Sequence, residues 1–119
     1  MDNKGYKKLK VWQEAHSLVL LVYKNTKNFP KEEIFGLTSQ LKRAVVSVPA
    51  NIVEGQAKRS KASFLQFLNI SNGSLVEVEY YFELARELEF LTDKQYKELE
   101  DQCLVVGNLL YGLIKSLKS

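Results

Sequence analysis

Apolar residues recur at steps of three and four along most of the chain, and strict apolar–polar alternation appears nowhere. That pattern predicts helices and no strands. Trp12, Ala15, Val19, Val22, Thr26 and Phe29 form one stripe of a first helix, over about residues 8–28. Leu9, His16, Leu20 and Tyr23 form a second stripe beside it. The run Leu18 to Tyr23 is apolar nearly all round, which predicts covering on more than one side. Phe29-Pro30 ends this helix, because the residue before a proline resists the helical region. A linker follows, with Gly36 as its turn. A second helix is expected over about 38–54, capped by Thr38 or Ser39, with Leu41, Ala44, Val45, Val48 and Ile52 facing the core. Pro49 falls inside it and should kink or break it, and Gly55 suits the position just past its end.

The third helix starts after Ser60 and reaches about residue 90. Phe64, Leu68, Ser71, Leu75, Val78, Phe82 and Ala85 form its main stripe, with Phe67, Ile70, Tyr81, Leu84 and Leu88 alongside. Its middle, Asn69 to Ser74, is small and polar. A close helix–helix approach at Gly73 and Ser74 is the reading favoured there, with a break as the alternative. Thr92-Asp93-Lys94-Gln95 reads as a capping box opening a fourth helix over about 92–117. Tyr96, Leu99, Cys103, Val106, Leu110, Leu113 and Leu117 supply its core stripe. Four helices joined by short links predict an all-α, antiparallel up-down-up-down four-helix bundle, one domain spanning residues 1–119. The doubled stripes on the first and third helices exceed the needs of a lone bundle and predict a homo-oligomer.

Composition narrows the function classes. The chain has 119 residues, one cysteine and one histidine, so neither an internal disulfide framework nor an ordinary structural zinc site fits. The longest apolar run is far too short to span a membrane. Met1-Asp2-Asn3-Lys4 leads into no apolar segment, so a cytoplasmic protein without a signal peptide is expected. A bundle di-metal site needs paired Glu-x-x-His motifs, but Gln13 precedes His16 by three residues. Glu79, Glu83 and Glu87 share one helix face and read as solvated acid, not a catalytic pair. Cys103 lies on an apolar stripe and reads as a packing residue. No serine has a triad context and no glycine-rich loop could cradle a nucleotide. No catalytic residue, metal, cofactor or small-molecule substrate is expected.

Charge carries more. Residues 1–61 hold 12 Lys+Arg against 5 Asp+Glu, and residues 62–119 hold 5 against 9, so the halves are +7 and −4. Lysine and arginine clusters neutralise phosphates without reading sequence. The candidate nucleic-acid-binding residues are Lys42, Arg43, Lys58, Arg59 and Lys61, with Lys4, Lys7, Lys8 and Lys10 near the start. Opposed halves equally suit head-to-tail contact between copies, and a protein-interaction scaffold is the alternative reading. Asn51, Glu54, Gly55, Arg59 and Ser60 form a candidate structural corner. Glu54 sits in a last helical turn, where the macrodipole disfavours negative charge, so Arg59 and the amides of Ser60 and Lys61 are expected to compensate it.

Several of these segments together resemble a known family. They are Leu9-Lys-Val-Trp-Gln-Glu-Ala15, Leu37-Thr-Ser-Gln-Leu-Lys-Arg-Ala44, Ser47-Val-Pro-Ala-Asn-Ile-Val-Glu-Gly55, Arg59-Ser60, Phe64-Leu-Gln-Phe-Leu68 and Gly73-Ser-Leu-Val-Glu77. The chain is similar to the four-helix bundle proteins encoded in bacterial 23S rRNA intervening sequences, from about Leu9 to Leu117. A related branch comprises the accessory proteins of diversity-generating retroelements. These form pentameric barrels with basic surfaces and bind nucleic acid and the reverse transcriptase. The resemblance implies a homo-oligomer, a pentamer, that contacts RNA or a ribonucleoprotein.

Overall fold

The computed structural model describes residues 5–119. A single 3-10 turn, Gly5–Lys8, leads into α1 (Lys10–Thr26); a second, Lys31–Glu33, precedes α2 (Leu37–Gln56). Then come α3 (Lys61–Glu87) and α4 (Asp93–Lys118), and the described residues contain no strand. Each helix touches two others: α1 meets α2 and α4, and α3 meets α2 and α4. The diagonal pairs do not meet, so the four form a square with every neighbour antiparallel, as expected. The bundle measures 43 × 28 × 20 Å.

The core is a heptad ladder. Val11, Ala15, Leu18 and Val22 line it from α1, and Leu41, Val45, Val48 and Ile52 from α2. Leu68, Ser71, Leu75, Val78, Phe82 and Ala85 line it from α3, and Leu99, Cys103, Val106 and Leu110 from α4. All step by three and four, which keeps one stripe inward on a 3.6-residue helix. On α1 the buried stripe is turned from the one the sequence suggested. Val11 and Leu18 go in, while Trp12 and Val19 are half-buried. The second stripes divide: Leu20, Tyr23, Ile70 and Leu88 are exposed, while Leu9, Phe67, Tyr81 and Leu84 are half-buried.

Four local expectations are corrected. Helix α2 runs through Pro49 without a break. Proline removes one helical donor, leaving the Val45 carbonyl without its partner, and α3 crosses closely at this point. The Ser71 hydroxyl donates to the Val48 carbonyl at 2.8 Å, and Ser47 and Ser74 share a 2.8 Å hydrogen bond. These cross-links and the closeness of α3 hold the turn. The close approach predicted at Gly73 and Ser74 therefore belongs to Ser71 and Ser74; Gly73 faces solvent with nothing within 4 Å of an added Cβ. Gly55 does not follow α2 but lies inside it, buried, with an ordinary helical backbone. Its bare Cα admits α3, since a Cβ there would lie 2.8 Å from Phe67 Cβ and 3.0 Å from Phe64 Cδ1. Neither Thr38 nor Ser39 caps α2. Gly36 is the cap position, and the Glu33 carboxylate accepts from the Leu37 amide at 3.0 Å, satisfying one orphan donor.

The other helix ends follow sequence logic. Ser60 caps α3 through the Ser63 amide, and Thr92 and Gln95 close the capping box of α4. Helix α3 ends in a Schellman motif: Phe90 N–H donates to the Ala85 carbonyl and Glu89 N–H to that of Arg86. Glu89 takes the left-handed position at φ 63°, where glycine is usual. Glu89→Gly is therefore expected to stabilise the protein by about 1 kcal/mol, raising the thermal midpoint by about 4 °C. Thermal unfolding followed by circular dichroism checks this, and an unchanged midpoint would refute it.

Candidate nucleic-acid interface

The antiparallel square has a consequence for charge. The starts of α1 and α3 and the ends of α2 and α4 lie at one end of the bundle. Three stretches distant in sequence therefore deliver their cations together: Lys7, Lys8 and Lys10 at the start of α1, Lys58, Arg59 and Lys61 around the α2–α3 link, and Lys115 and Lys118 at the end of α4. Gly5 abuts the Gln56 side chain, which seats the opening 3-10 turn on the last turn of α2. The acidic residues go the other way. All nine carboxylates of residues 62–119 fall between Glu77 and Asp101, in the halves of α3 and α4 remote from this end. What reads in sequence as a basic half and an acidic half is, in the fold, largely an end-to-end separation.

Within the basic end only Lys10 has a carboxylate within 4 Å among the described residues. Glu14 lies 3.2 Å from it, one turn along α1. Gln102 donates to the Glu14 carboxylate at 3.0 Å and to its carbonyl at 2.9 Å, tying α1 to α4. That hydrogen bond first, and Lys10 second, hold the Glu14 carboxyl below its ordinary range. The Lys58 ammonium sits over the Phe67 ring, 5.3 Å from its centre, at the α2–α3 corner, and the residue is exposed.

The five predicted phosphate ligands are not one site. Lys58, Arg59 and Lys61 flank the short α2–α3 link and come together. Lys42 and Arg43 lie about 20 Å further along α2, and on different sides of it. Lys42 leans toward α1, its Nζ 4.7 Å from the Tyr23 ring centre. Arg43 lines a small polar cleft against α3 with Gln40, Ser47, Ser74 and Glu77. Lys4 lies outside the described residues. Lys115 and Lys118 join the basic end although more than fifty residues separate them from Lys61. Only the antiparallel return of α4 brings them there, so no local pattern marked them.

The corner is built differently from expectation. Among the described residues Glu54 forms no ion pair, with Arg59 or any other base, and it is exposed. Solvent reaches it, so the helix dipole needs no partner there. Gly55 against Phe64 and Phe67 sets the corner, with the Ser60 cap and an Asn51 amide that donates to the Ser47 carbonyl and hydroxyl.

Elsewhere, a groove of about 670 Å³ runs between α3 and α4. Val76, Tyr80 and Leu104 line it, each more than half exposed, with Glu79, Glu83, Glu100 and Asp101 around them. Burial first, and then Glu100, raise the Glu79 carboxyl above its ordinary value. Cys103 closes the floor; burial, reinforced by Glu79 and Glu100, pushes its thiol far up, so it carries no reactive thiolate. Among the described residues no group of three or more His, Cys, Asp or Glu is placed to hold a metal ion. No described helix is long and apolar enough to cross a membrane.

Comparison with known proteins agrees with this architecture. A crystal structure of a protein of unknown function from the S23 ribosomal protein family of Bacteroides thetaiotaomicron superposes with a TM-score of 0.80 at 27% identity. The match covers 88% of this chain and 95% of that one. No functionally curated protein matches. The model of the family described as 23S rRNA-intervening sequence protein matches residues 7–112. That span takes in α1, α2 and α3 and most of α4, and the chain belongs to this family.

Proposed function

We propose that this chain is a non-catalytic, RNA-associated protein of the cytoplasm, and that its basic end docks on the phosphates of a structured RNA. One observation carries the reading: three stretches distant in sequence deliver Lys7, Lys8, Lys58, Arg59, Lys61, Lys115 and Lys118 to a single end of the bundle. Carboxylates are few there and concentrated at the other end, so an extended anion meets little repulsion. The family description makes a structured rRNA hairpin the first ligand to try. A reverse transcriptase–RNA complex, as the retroelement resemblance implies, would present the same phosphates.

The test is fluorescence anisotropy of a labelled hairpin at about 50 and about 200 mM salt. Some four phosphate contacts should weaken binding about 100-fold across that range. Lys58→Ala/Arg59→Ala/Lys61→Ala should weaken binding at the lower salt and flatten the salt slope. Lys42→Ala/Arg43→Ala should do less, because those residues stand apart. Absence of binding at 50 mM would overturn the reading.

A second reading concerns self-association, and a separate observation favours it. Leu20, Tyr23 and Val46 form an exposed apolar patch on the α1–α2 face, bordered by Lys24, Lys27 and Lys42. The acidic, apolar α3–α4 groove lies on the opposite face of the square. Complementary patches on opposite faces favour a head-to-tail homo-oligomer over a two-fold dimer. The resemblance puts the number of copies at five. Light scattering of the purified protein reads that mass directly, and a monomer at about 100 μM would exclude it.

A further inference from the structure

Beside the basic cluster, three rings form a column. Tyr6 sits edge-on to Trp12, with ring centres 5.0 Å apart and planes at 67°. Trp12 and His16 stack nearly parallel, at 4.9 Å and 9°. The geometry is held from both ends. His16 follows Trp12 by one turn of α1, so the two rings share a face. The Leu9 amide donates to the Tyr6 carbonyl at 3.0 Å, and the Gln13 side chain donates to the Lys7 carbonyl at 2.8 Å, so the opening turn is fastened onto α1. His16, the outward member, is exposed, while Tyr6 and Trp12 are half-buried. Trp12 packs partly against the core from outside the inward stripe of α1, and His16 stays exposed beyond it.

We propose that the Tyr6–Trp12–His16 column is a base-stacking site for an unpaired nucleotide of the nucleic acid bound at the basic end. This rests on the reading of that end as a phosphate-binding surface and adds the part of the ligand it takes. A pre-stacked pair of flat rings offers a π-face at little conformational cost. Lys7 and Lys8 on the same turn, and Lys58 and Arg59 just past Gln56, stand where the flanking phosphates would run. Rings beside a cationic track are how proteins hold single strands without reading their sequence. Single-stranded loops and ends expose such bases; paired A-form stems do not.

The test compares a labelled uridine oligonucleotide with an abasic oligonucleotide of equal length and charge, by anisotropy, at low salt. Trp12 is the only tryptophan, so its emission reports locally on the column. The uridine strand should bind about 5- to 100-fold more tightly than the abasic one and change the Trp12 emission. His16→Ala should remove most of that difference and leave the salt slope unchanged, and His16→Phe should restore it. Equal affinity for the two strands, or a His16→Ala variant that keeps the full difference, overturns the stacking site while leaving the phosphate surface standing. Binding of neither strand overturns both.

Discussion

Gly55→Val should cost about 3 kcal/mol and lower the thermal midpoint by about 10 °C. A Cβ at Gly55 would lie 2.8 Å from Phe67 Cβ and 3.0 Å from Phe64 Cδ1, both on α3. Phe67 Cβ is anchored to backbone and cannot swing aside, so α2 and α3 must separate. That pair has the most extensive packing in the bundle and carries the Ser47–Ser74 hydrogen bond and the one from the Ser71 hydroxyl to the Val48 carbonyl. Spreading it loosens Ile52 and Leu68, both fully buried. Gly55→Ala should also destabilise, by about 1 kcal/mol, because the clash outweighs a helix-propensity gain of about 0.5–1 kcal/mol. Gly73→Ala should show that gain alone, since Gly73 faces open solvent in the middle of α3. Urea unfolding of the three variants reads all the signs together. A stabilised Gly55→Ala would mean that α3 yields without loss and that the close approach is not needed.

Gly55 and Gly73 also show what a sequence discloses. Gly55 continues the buried Val48–Ile52 stripe of α2, whereas Gly73 lies off the Ser71–Leu75 stripe of α3, and the structure departs from the sequence reading at both. Gly55 looked like a helix stop because glycine usually follows a last turn. Here it sits inside because two phenylalanines of the next helix need its space. Gly73 looked like a crossing point because its neighbours are small; the crossing uses Ser71 and Ser74, and Gly73 lies outside it. Local chemistry settled the helix ends where one residue acts on its own amides, as at Ser60 and Thr92. It failed at α2, whose first amide is satisfied by Glu33 across a turn. The core stripes of α2, α3 and α4 were legible because their repeats are long. On α1, apolar nearly all round at Leu18 to Tyr23, periodicity alone could not choose the inward side. The candidate interface was half legible. Lys58, Arg59 and Lys61 are neighbours in sequence, whereas Lys115 and Lys118 join them only because four helices alternate in direction. Lys42 and Arg43 are adjacent in sequence, yet helical rotation of about 100° per residue turns one toward α1 and the other toward the α3 cleft.

Two charge-reversed variants that each fail to assemble should assemble when mixed. One is Glu79→Lys/Glu83→Lys/Glu100→Lys, which reverses the α3–α4 groove; the other is Lys24→Glu/Lys27→Glu/Lys42→Glu, which reverses the α1–α2 face. In a head-to-tail arrangement every contact pairs one copy's groove with the next copy's α1–α2 face. Either variant alone sets like charges against each other at every contact. Such juxtapositions cost several kcal/mol, so self-association should weaken by about 1,000-fold or more. In an equimolar mixture, native faces meet native grooves and reversed faces meet reversed grooves, so each alternating contact is again complementary. An alternating chain closes only on an even number of copies, so the mixture should give even or open assemblies even where the native ring is odd. The burial of Glu79, and then its neighbour Glu100, work in the same direction. A carboxyl pushed above its ordinary range in the free groove gains when a neighbouring copy's lysine arrives, so groove and lysine face each favour the assembled state. The native association should weaken as salt rises, since rim charges are screened within about 8–10 Å. A two-fold contact of one surface with itself predicts otherwise: the variant altered only on the unused surface would keep the native mass. Light scattering on the two variants, their mixture and the native chain separates the cases. Native mass in either variant alone would remove these faces from the assembly.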